Sequence, residues 1–215
     1  MPTASRPENK VMNSRYRQAQ FLKGVASLSG LPADDGYEVA FAGRSNAGKS
    51  SALNTITDQR SLARTSKTPG RTQHINYFNL DDHHCLVDLP GYGYAKVPPK
   101  ISLRWQQDIS RYLHSRQSLQ GLIVVMDCRH PLKDFDIQLL DWCYEAQLPA
   151  HVLLSKADKL SRGAAASTLQ QVRRELHTVF PENSVPTVQL FSSLKKSGLE
   201  EVHDRLDAWL FDTQD

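Results

Sequence analysis

Val39-Ala40-Phe41-Ala42-Gly43-Arg44-Ser45-Asn46-Ala47-Gly48-Lys49-Ser50 is the stretch whose reading decides the fold. Its four leading apolar residues predict a buried strand, and residues 49–57 predict a helix. Between them, 43–50 matches G-x-x-x-x-G-K-[ST] in full, in the strand-to-helix setting that a phosphate-binding loop requires. Gly43 and Gly48 let the backbone wrap phosphates so that the N–H groups of the intervening residues turn inward. The helix N-terminus adds partial positive charge. Lys49 is placed to bridge β- and γ-phosphates, and Ser50 to offer its hydroxyl to Mg²⁺. The loop alone does not separate GTP from ATP.

Outward from this loop the chain repeats the strand-then-helix rhythm. Residues 75–80 and 84–89, separated by Asp81-Asp82, predict an antiparallel hairpin. Helices are expected at 101–115 and 134–146, and strands at 122–127, 151–155 and 187–191. Leu169, Val172, Leu176 and Val179 recur at helical spacing. Ser197 and Glu200 form a capping box ahead of a last helix carrying Leu199, Val202, Leu206 and Trp209. Upstream, 11–29 predicts a loosely amphipathic helix with Tyr16, Phe21, Leu22, Val25 and Leu28. The fold class is therefore α/β with three layers: a mostly parallel six-stranded sheet, one antiparallel edge hairpin strand, and helices on both faces. Residues 1–35 are read as an N-terminal extension and 36–215 as the nucleotide domain.

Three further segments complete a site. Asp88-Leu89-Pro90-Gly91 ends the hairpin; Asp88 is a ligand for Mg²⁺ through water, and Gly91 brings its N–H to the γ-phosphate. The loop 58–74 has no period and should supply a threonine to the metal. Thr65, Thr68 and Thr72 are the candidates, and Thr72 is favoured because it follows Gly70 and lies closest to the next strand. Ser155-Lys156-Ala157-Asp158 ends another strand. Asp158 can accept from guanine N1–H and the 2-amino group, donors that adenine lacks, and Lys156 can lay its stem along the base. The usual first residue of this motif is Asn or Thr, so Ser155 departs from the pattern but keeps a hydroxyl to brace the loops. The backbone N–H groups of Phe191-Ser192-Ser193 are candidates for the guanine oxygen.

Composition sets the bounds. Of 215 residues 40% are hydrophobic and 23% charged, ordinary values for a globular chain with a real core. The net charge of +3 permits a polyanionic partner without requiring one. Three scattered cysteines, Cys85, Cys128 and Cys143, fit a reducing compartment rather than a disulfide framework. His83, His84 and Cys85 are adjacent, but neighbours along a strand point to opposite faces, so no metal site is expected there. Residues 1–10 lack an apolar segment and the longest apolar run, 122–126, is too short to span a bilayer, so a cytoplasmic protein is expected.

The wording of the motifs is more specific than their chemistry. GRSNAGKS at 43–50, SKTPGRTQHINYF at 66–78, DLPGYGYA at 88–95 and DCRHP at 127–131 closely resemble the EngB (also YihA or YsxC) family, within the TrmE-Era-EngA-EngB-septin-like phosphate-loop GTPases. The resemblance covers nearly the whole chain after about residue 15. It implies a GTPase switch needed for assembly of the large ribosomal subunit and linked to cell division and septation. It implies Mg²⁺ on Ser50 and Thr72. It also implies guanine-nucleotide contacts at 43–50, at Gly70, Arg71, Thr72, Gln73 and His74, at 88–91, at 155–158 and at 191–193.

The hydrolytic step is thinner. Tyr92 stands where many GTPases carry a water-orienting glutamine, which predicts slow intrinsic hydrolysis. Asn46 occupies the phosphate-loop position from which related GTPases hold a potassium ion, and Arg71 is a candidate for transition-state charge. Lys49, Thr72, Gly91 and Asn46 make up the expected catalytic set. Tyr92, Tyr94 and Lys96, with Arg64, Lys67 and Arg71 opposite, are candidates for contact with ribosomal RNA. A monomer with no membrane or DNA partner is expected. Two rivals share 43–50: a phosphate-loop small-molecule kinase, which has no use for 155–158, and a GTP-dependent binding module with negligible hydrolysis.

Overall fold

Strand β2 (Tyr37–Gly43) carries Val39 and Phe41 on one face and Ala40 and Ala42 on the other, all of them buried. A strand apolar on both faces belongs in the middle of a sheet covered on both sides. The computed structural model describes residues 12–63, 74–93 and 99–212. Around β2 it places α1 (Met12–Arg17), β1 (Gln20–Val25), α2 (Lys49–Ile56), β3 (Ile75–Asn79), β4 (His84–Asp88) and α3 (Pro99–Ser115). These are followed by β5 (Leu119–Asp127), α4 (Asp134–Glu145), β6 (Ala150–Ser155), α5 (Arg162–Val179), β7 (Thr187–Leu190) and α6 (Leu199–Leu210).

The sheet order is β1-β3-β4-β2-β5-β6-β7. Pairings from β4 through β7 are parallel, and β1–β3 and β3–β4 are antiparallel. Side chains alternate along every central strand. Leu122, Val124 and Met126 of β5 join a layer with Ile109 and Tyr112 of α3, Leu139 and Leu140 of α4, and Val172 and Leu176 of α5. Ile123 and Val125 join the opposite layer with Leu53 and Ile56 of α2 and Val202 and Leu206 of α6. Val179, the last residue of α5, is half exposed and does not share the buried face of Val172 and Leu176.

The predicted helix over 11–29 is not what forms. Helix α1 stops at Arg17, and Gln20–Val25 is a strand, the seventh of the sheet and its true edge. A short apolar run cannot be assigned to helix or strand by periodicity alone. Here the free edge of β3 offers hydrogen-bond partners from Asn79 back to Ile75. Tyr16 fastens α1 to the far layer: its phenol donates to Asp207 Oδ1 at 2.6 Å and its ring stacks on His203 at 4.7 Å.

The capping box at Ser197 and Glu200 is also corrected. The N-cap of α6 is Gly198, with no side-chain cap hydrogen bond. Its φ is +76° and an added Cβ would stand 2.2 Å from Leu190 O, so only glycine fits this corner. At the N-terminal end of the sheet Glu38 is buried against Arg116, whose Nε donates to Oε2 at 3.1 Å, and accepts from the Tyr112 phenol at 3.0 Å. His84 pairs with Asp81 at 2.7 Å and Cys85 Sγ donates to Asn79 Oδ1 at 3.0 Å. Among the described residues no cluster of three metal-ligating side chains occurs and no helix is long and apolar enough to cross a membrane.

Candidate functional site

The C-terminal ends of β2, β4, β5, β6 and β7 converge on one edge of the sheet, the position where open α/β folds place ligands. Residues 43–48 turn there from β2 into α2. Gly43 lies against β5; a Cβ on it would come within 2.6 Å of Val125 O, so the backbones meet with no room for a side chain. Ala47 N–H donates to Arg44 O at 2.9 Å, and Gly48 (φ +101°) is the N-cap of α2. Lys49, the first residue of α2, sends its ammonium to Asp88 Oδ1 in an ion pair that is largely removed from solvent. Ser50 follows on the same first turn. Thr72, with Gly70, Arg71 and Gln73, lies outside the described residues, and His74 is exposed just before β3.

The ligand set suits the metal that was expected. A hydroxyl from Ser50 and a carboxylate from Asp88 are hard oxygen donors, and both stand beside the loop that would take the phosphates.

The base end is built from three strand ends. Ser155 Oγ donates to Ala47 O and, at 3.1 Å, to Met126 O, so it locks β6 to the phosphate loop and to β5. Lys156 is in the left-handed conformation (φ 58°), and its ammonium reaches Asn46 O at 2.5 Å and Asp127 Oδ2 at 3.0 Å. Ala157 N–H donates to Phe191 O at 3.1 Å, which fixes this turn to the end of β7. Asp158 Oδ1 accepts from Ser192 Oγ at 2.6 Å.

Two corrections arise here. The N–H of Phe191 donates to Leu154 O at 2.8 Å and that of Ser192 to Ser197 O at 3.1 Å, so neither amide points to a ligand. Ser192 enters the site through its hydroxyl instead, and of the three expected amides only that of Ser193 is not committed in this way. Asp127, to which the sequence assigned no part in the site, is a member of it. Arg129 grips it through Nε at 2.9 Å and Nη2 at 2.6 Å, and that fork, reinforced by Lys156, holds its carboxyl far below the usual carboxylate range. The DCRHP stretch did mark the position; what sequence lacked was the contact with Lys156.

Tyr92 is likewise not the exposed stacking residue expected for RNA. It is 4% exposed, its ring sits 4.5 Å from that of Phe135 and 5.8 Å from that of Trp105, and its phenol donates to Asp136 Oδ1 at 2.7 Å. An aromatic ring with a buried carboxylate within reach of its hydroxyl is more stable inside than in solvent. Tyr94, Lys96, Arg64, Lys67 and Arg71 lie outside the described residues. Asn46 stands exposed at the loop tip with φ 66°.

This arrangement, phosphate loop at one end and a lysine–aspartate pair at the other, places the chain among the phosphate-loop α/β nucleotide-binding proteins. Comparison narrows the class. Residues 38–156 match the family described as 50S ribosome-binding GTPase. The chain is 53% identical over 202 residues to the probable GTP-binding protein EngB of Escherichia coli O139:H28, covering 94% of this chain and 95% of that one. It is equally similar to EngB of Shigella boydii serotype 18. A crystal structure of a probable GTP-binding protein engB superposes with TM-score 0.66 at 20% identity, over 81% of this chain and 99% of that one. Era in complex with MgGDPNP and nucleotides 1506-1542 of 16S ribosomal RNA superposes with TM-score 0.60 at 18% identity, over 84% of this chain and 59% of that one. The chain belongs to the EngB family of GTP-binding proteins, and a kinase reading of its phosphate loop is set aside.

Proposed function

We propose that this protein is a magnesium-dependent GTP-hydrolysing switch that acts in the cytoplasm, as a monomer, on assembly of the large ribosomal subunit. Normal septation would depend on it through the supply of ribosomes. The observation that carries the reading is the turn at 156–158, where Lys156 reaches Asn46 O of the phosphate loop and Asp158, the residue placed for guanine, accepts from Ser192 Oγ. The ribosomal part rests on the family's description as 50S ribosome-binding.

In this reading Asp158 accepts the two guanine donors while Ser192 holds its second oxygen in place. Adenine offers neither donor and would leave the remaining acceptor positions of the carboxylate unfilled. Lys49 leaves Asp88 for the β- and γ-phosphates, which frees Asp88 for the metal shell with Ser50 and Thr72. When bound, Mg²⁺ neutralises charge on the β- and γ-oxygens. Gly91 senses the γ-phosphate through its amide.

Burial of Tyr92 favours a second reading beside the first. The side chain after Gly91 is committed to Asp136, so it has no group to present to an attacking water. Intrinsic hydrolysis is then slow, and the GTP-bound shape, docked on the ribosomal subunit, is the functional state. A potassium ion at Asn46 is the route to a faster rate.

Titration calorimetry with GTP, GDP and ATP in Mg²⁺, on the wild type and Asp158→Ala, tests the base site. Guanine-only binding, lost in the variant, supports the reading; equal ATP binding refutes it. Cosedimentation with 50S subunits in a GTP analogue against GDP tests the partner. Single-turnover hydrolysis in Na⁺ against K⁺ tests the potassium route, and an unchanged rate removes it.

A further inference from the structure

Tyr92 is attached to the site at two places. Through its backbone it bridges the phosphate loop: Ser45 N–H donates to Tyr92 O at 2.7 Å and Tyr92 N–H to Gly43 O at 3.3 Å. Through its phenol it crosses to α4 and meets Asp136 at 2.7 Å. On the other side of Gly91, Leu89 N–H donates to Phe41 O at 2.9 Å. Gly91 is thus spanned by two pinned residues, and a Cβ on it would stand 3.2 Å from Ser45 Oγ.

Asp136 is 1% exposed and divides its carboxylate. Oδ1 takes the phenol, and Oδ2 accepts from Lys133 N–H at 2.9 Å, closing the start of α4. The helix itself is anchored in the core by Leu139, Leu140 and Cys143. Phe135 and Trp105 wall off the phenol–carboxylate bond, so water does not compete for it, and deleting either partner leaves the facing oxygen of the other buried without that bond.

The geometry points to Asp136 as a positioning residue of the γ-phosphate sensor: its hydrogen bond to the Tyr92 phenol ties the segment holding Gly91 to α4 and sets the Gly91 backbone beside Ser45. The inference rests on the reading of Gly91 as that sensor. A tethered segment has already lost most of the freedom that binding would cost it. Without the tether, the ordering cost falls on the nucleotide that touches the segment. GTP would bear it; GDP, held by the phosphate loop and the base cluster, would not. A purely structural role for Asp136 would change stability without changing the preference between the two nucleotides.

The test uses the full chain in Mg²⁺, with calorimetric titration of GDP and a non-hydrolysable GTP analogue and with single-turnover GTP hydrolysis. In Tyr92→Phe and Asp136→Ala, analogue affinity and hydrolysis rate each fall about tenfold, the scale of one lost buried hydrogen bond to a charged group, while GDP affinity stays within about twofold. The double variant is no weaker than Asp136→Ala, because both changes remove the same bond. Asp136→Asn, which keeps an oxygen acceptor, recovers part of the loss relative to Asp136→Ala, and this comparison serves if Tyr92→Phe does not fold. Equal losses for GDP and analogue, no loss at all, or additive losses overturn the inference. Gly91→Ala separates it from its parent reading. If that variant keeps the wild-type ratio of analogue to GDP affinity, the sensor reading fails and the inference with it. If Gly91→Ala abolishes the preference and Tyr92→Phe does not, the sensor stands and Asp136 has no part in it.

Discussion

Ser192 Oγ donates to Asp158 Oδ1 at 2.6 Å across the ends of two neighbouring strands. The same oxygen of Ser192 accepts from Lys195 N–H at 3.1 Å, so the hydroxyl is oriented from its own loop before it reaches the carboxylate. One aspartate rotamer is thereby selected.

Ser192→Ala therefore weakens GTP and GDP alike by roughly fivefold, the worth of about one hydrogen bond, and leaves ATP excluded because Asp158 remains. Calorimetric titration of the three nucleotides checks this. An unchanged guanine affinity would mean that Asp158 needs no second residue to hold it.

Asp127 is the counter-charge of Lys156. With Asp127→Ala the ammonium keeps, among the described residues, only Asn46 O, and its stem is held at one point instead of two. Affinity for GDP is expected to drop about tenfold, a charge-assisted bond's worth, with a larger dissociation rate than association change. Stopped-flow release of a fluorescent guanine nucleotide measures it.

His151 is buried in β6 between Thr187 Oγ1 at 2.7 Å and Gln189 Oε1 at 3.0 Å. Burial is the main cause of an imidazole pKa pushed down to about 4; the Gln189 bond opposes it and Arg205 adds to it. The folded state thus favours neutral His151, while the unfolded chain protonates near the ordinary value of about 6.5. Stability is full above that value and falls as pH drops towards 4, by about 3 kcal/mol from this residue. His203, also pushed down by burial, adds to the slope. Urea midpoints at pH 7, 6 and 5 should decline in the wild type and decline less in His151→Asn.

Arg116 gives Glu38 its only cation among the described residues. Arg116→Met leaves a carboxylate buried between the Tyr77 and Tyr112 phenols and should cost about 3–5 kcal/mol by denaturant titration. Glu38 lies near the start of β2 and the phosphate loop follows its other end, so GDP affinity of the folded variant should match the wild type. The double change Glu38→Gln, Arg116→Met should recover part of the loss.

How far sequence reached can be judged residue by residue. The order of 43–50, 88–91 and 155–158 along an alternating strand–helix pattern placed all three at one edge of a parallel sheet, because a βαβ chain has few ways to close and its loops follow its strands. Those readings depended on local spacing alone. The strand at Gln20–Val25 depended on something else: the unpaired edge of β3, far downstream along the chain, which outweighed a weak helical period. Gly198 took the cap of α6 because Leu190 O leaves no room for a Cβ, a contact no capping pattern records.

By itself the sequence determined the phosphate loop, the layered α/β class and the family, since these reside in short runs whose chemistry is local. Only the tertiary structure decided that Tyr92 lies inside on Asp136 rather than outside for RNA, that Asp127 belongs to Lys156, and that Ser192 serves Asp158 by its hydroxyl rather than its amide. Each of those outcomes is a contact between residues distant along the chain, and its energy exists only once the sheet has brought the strand ends together.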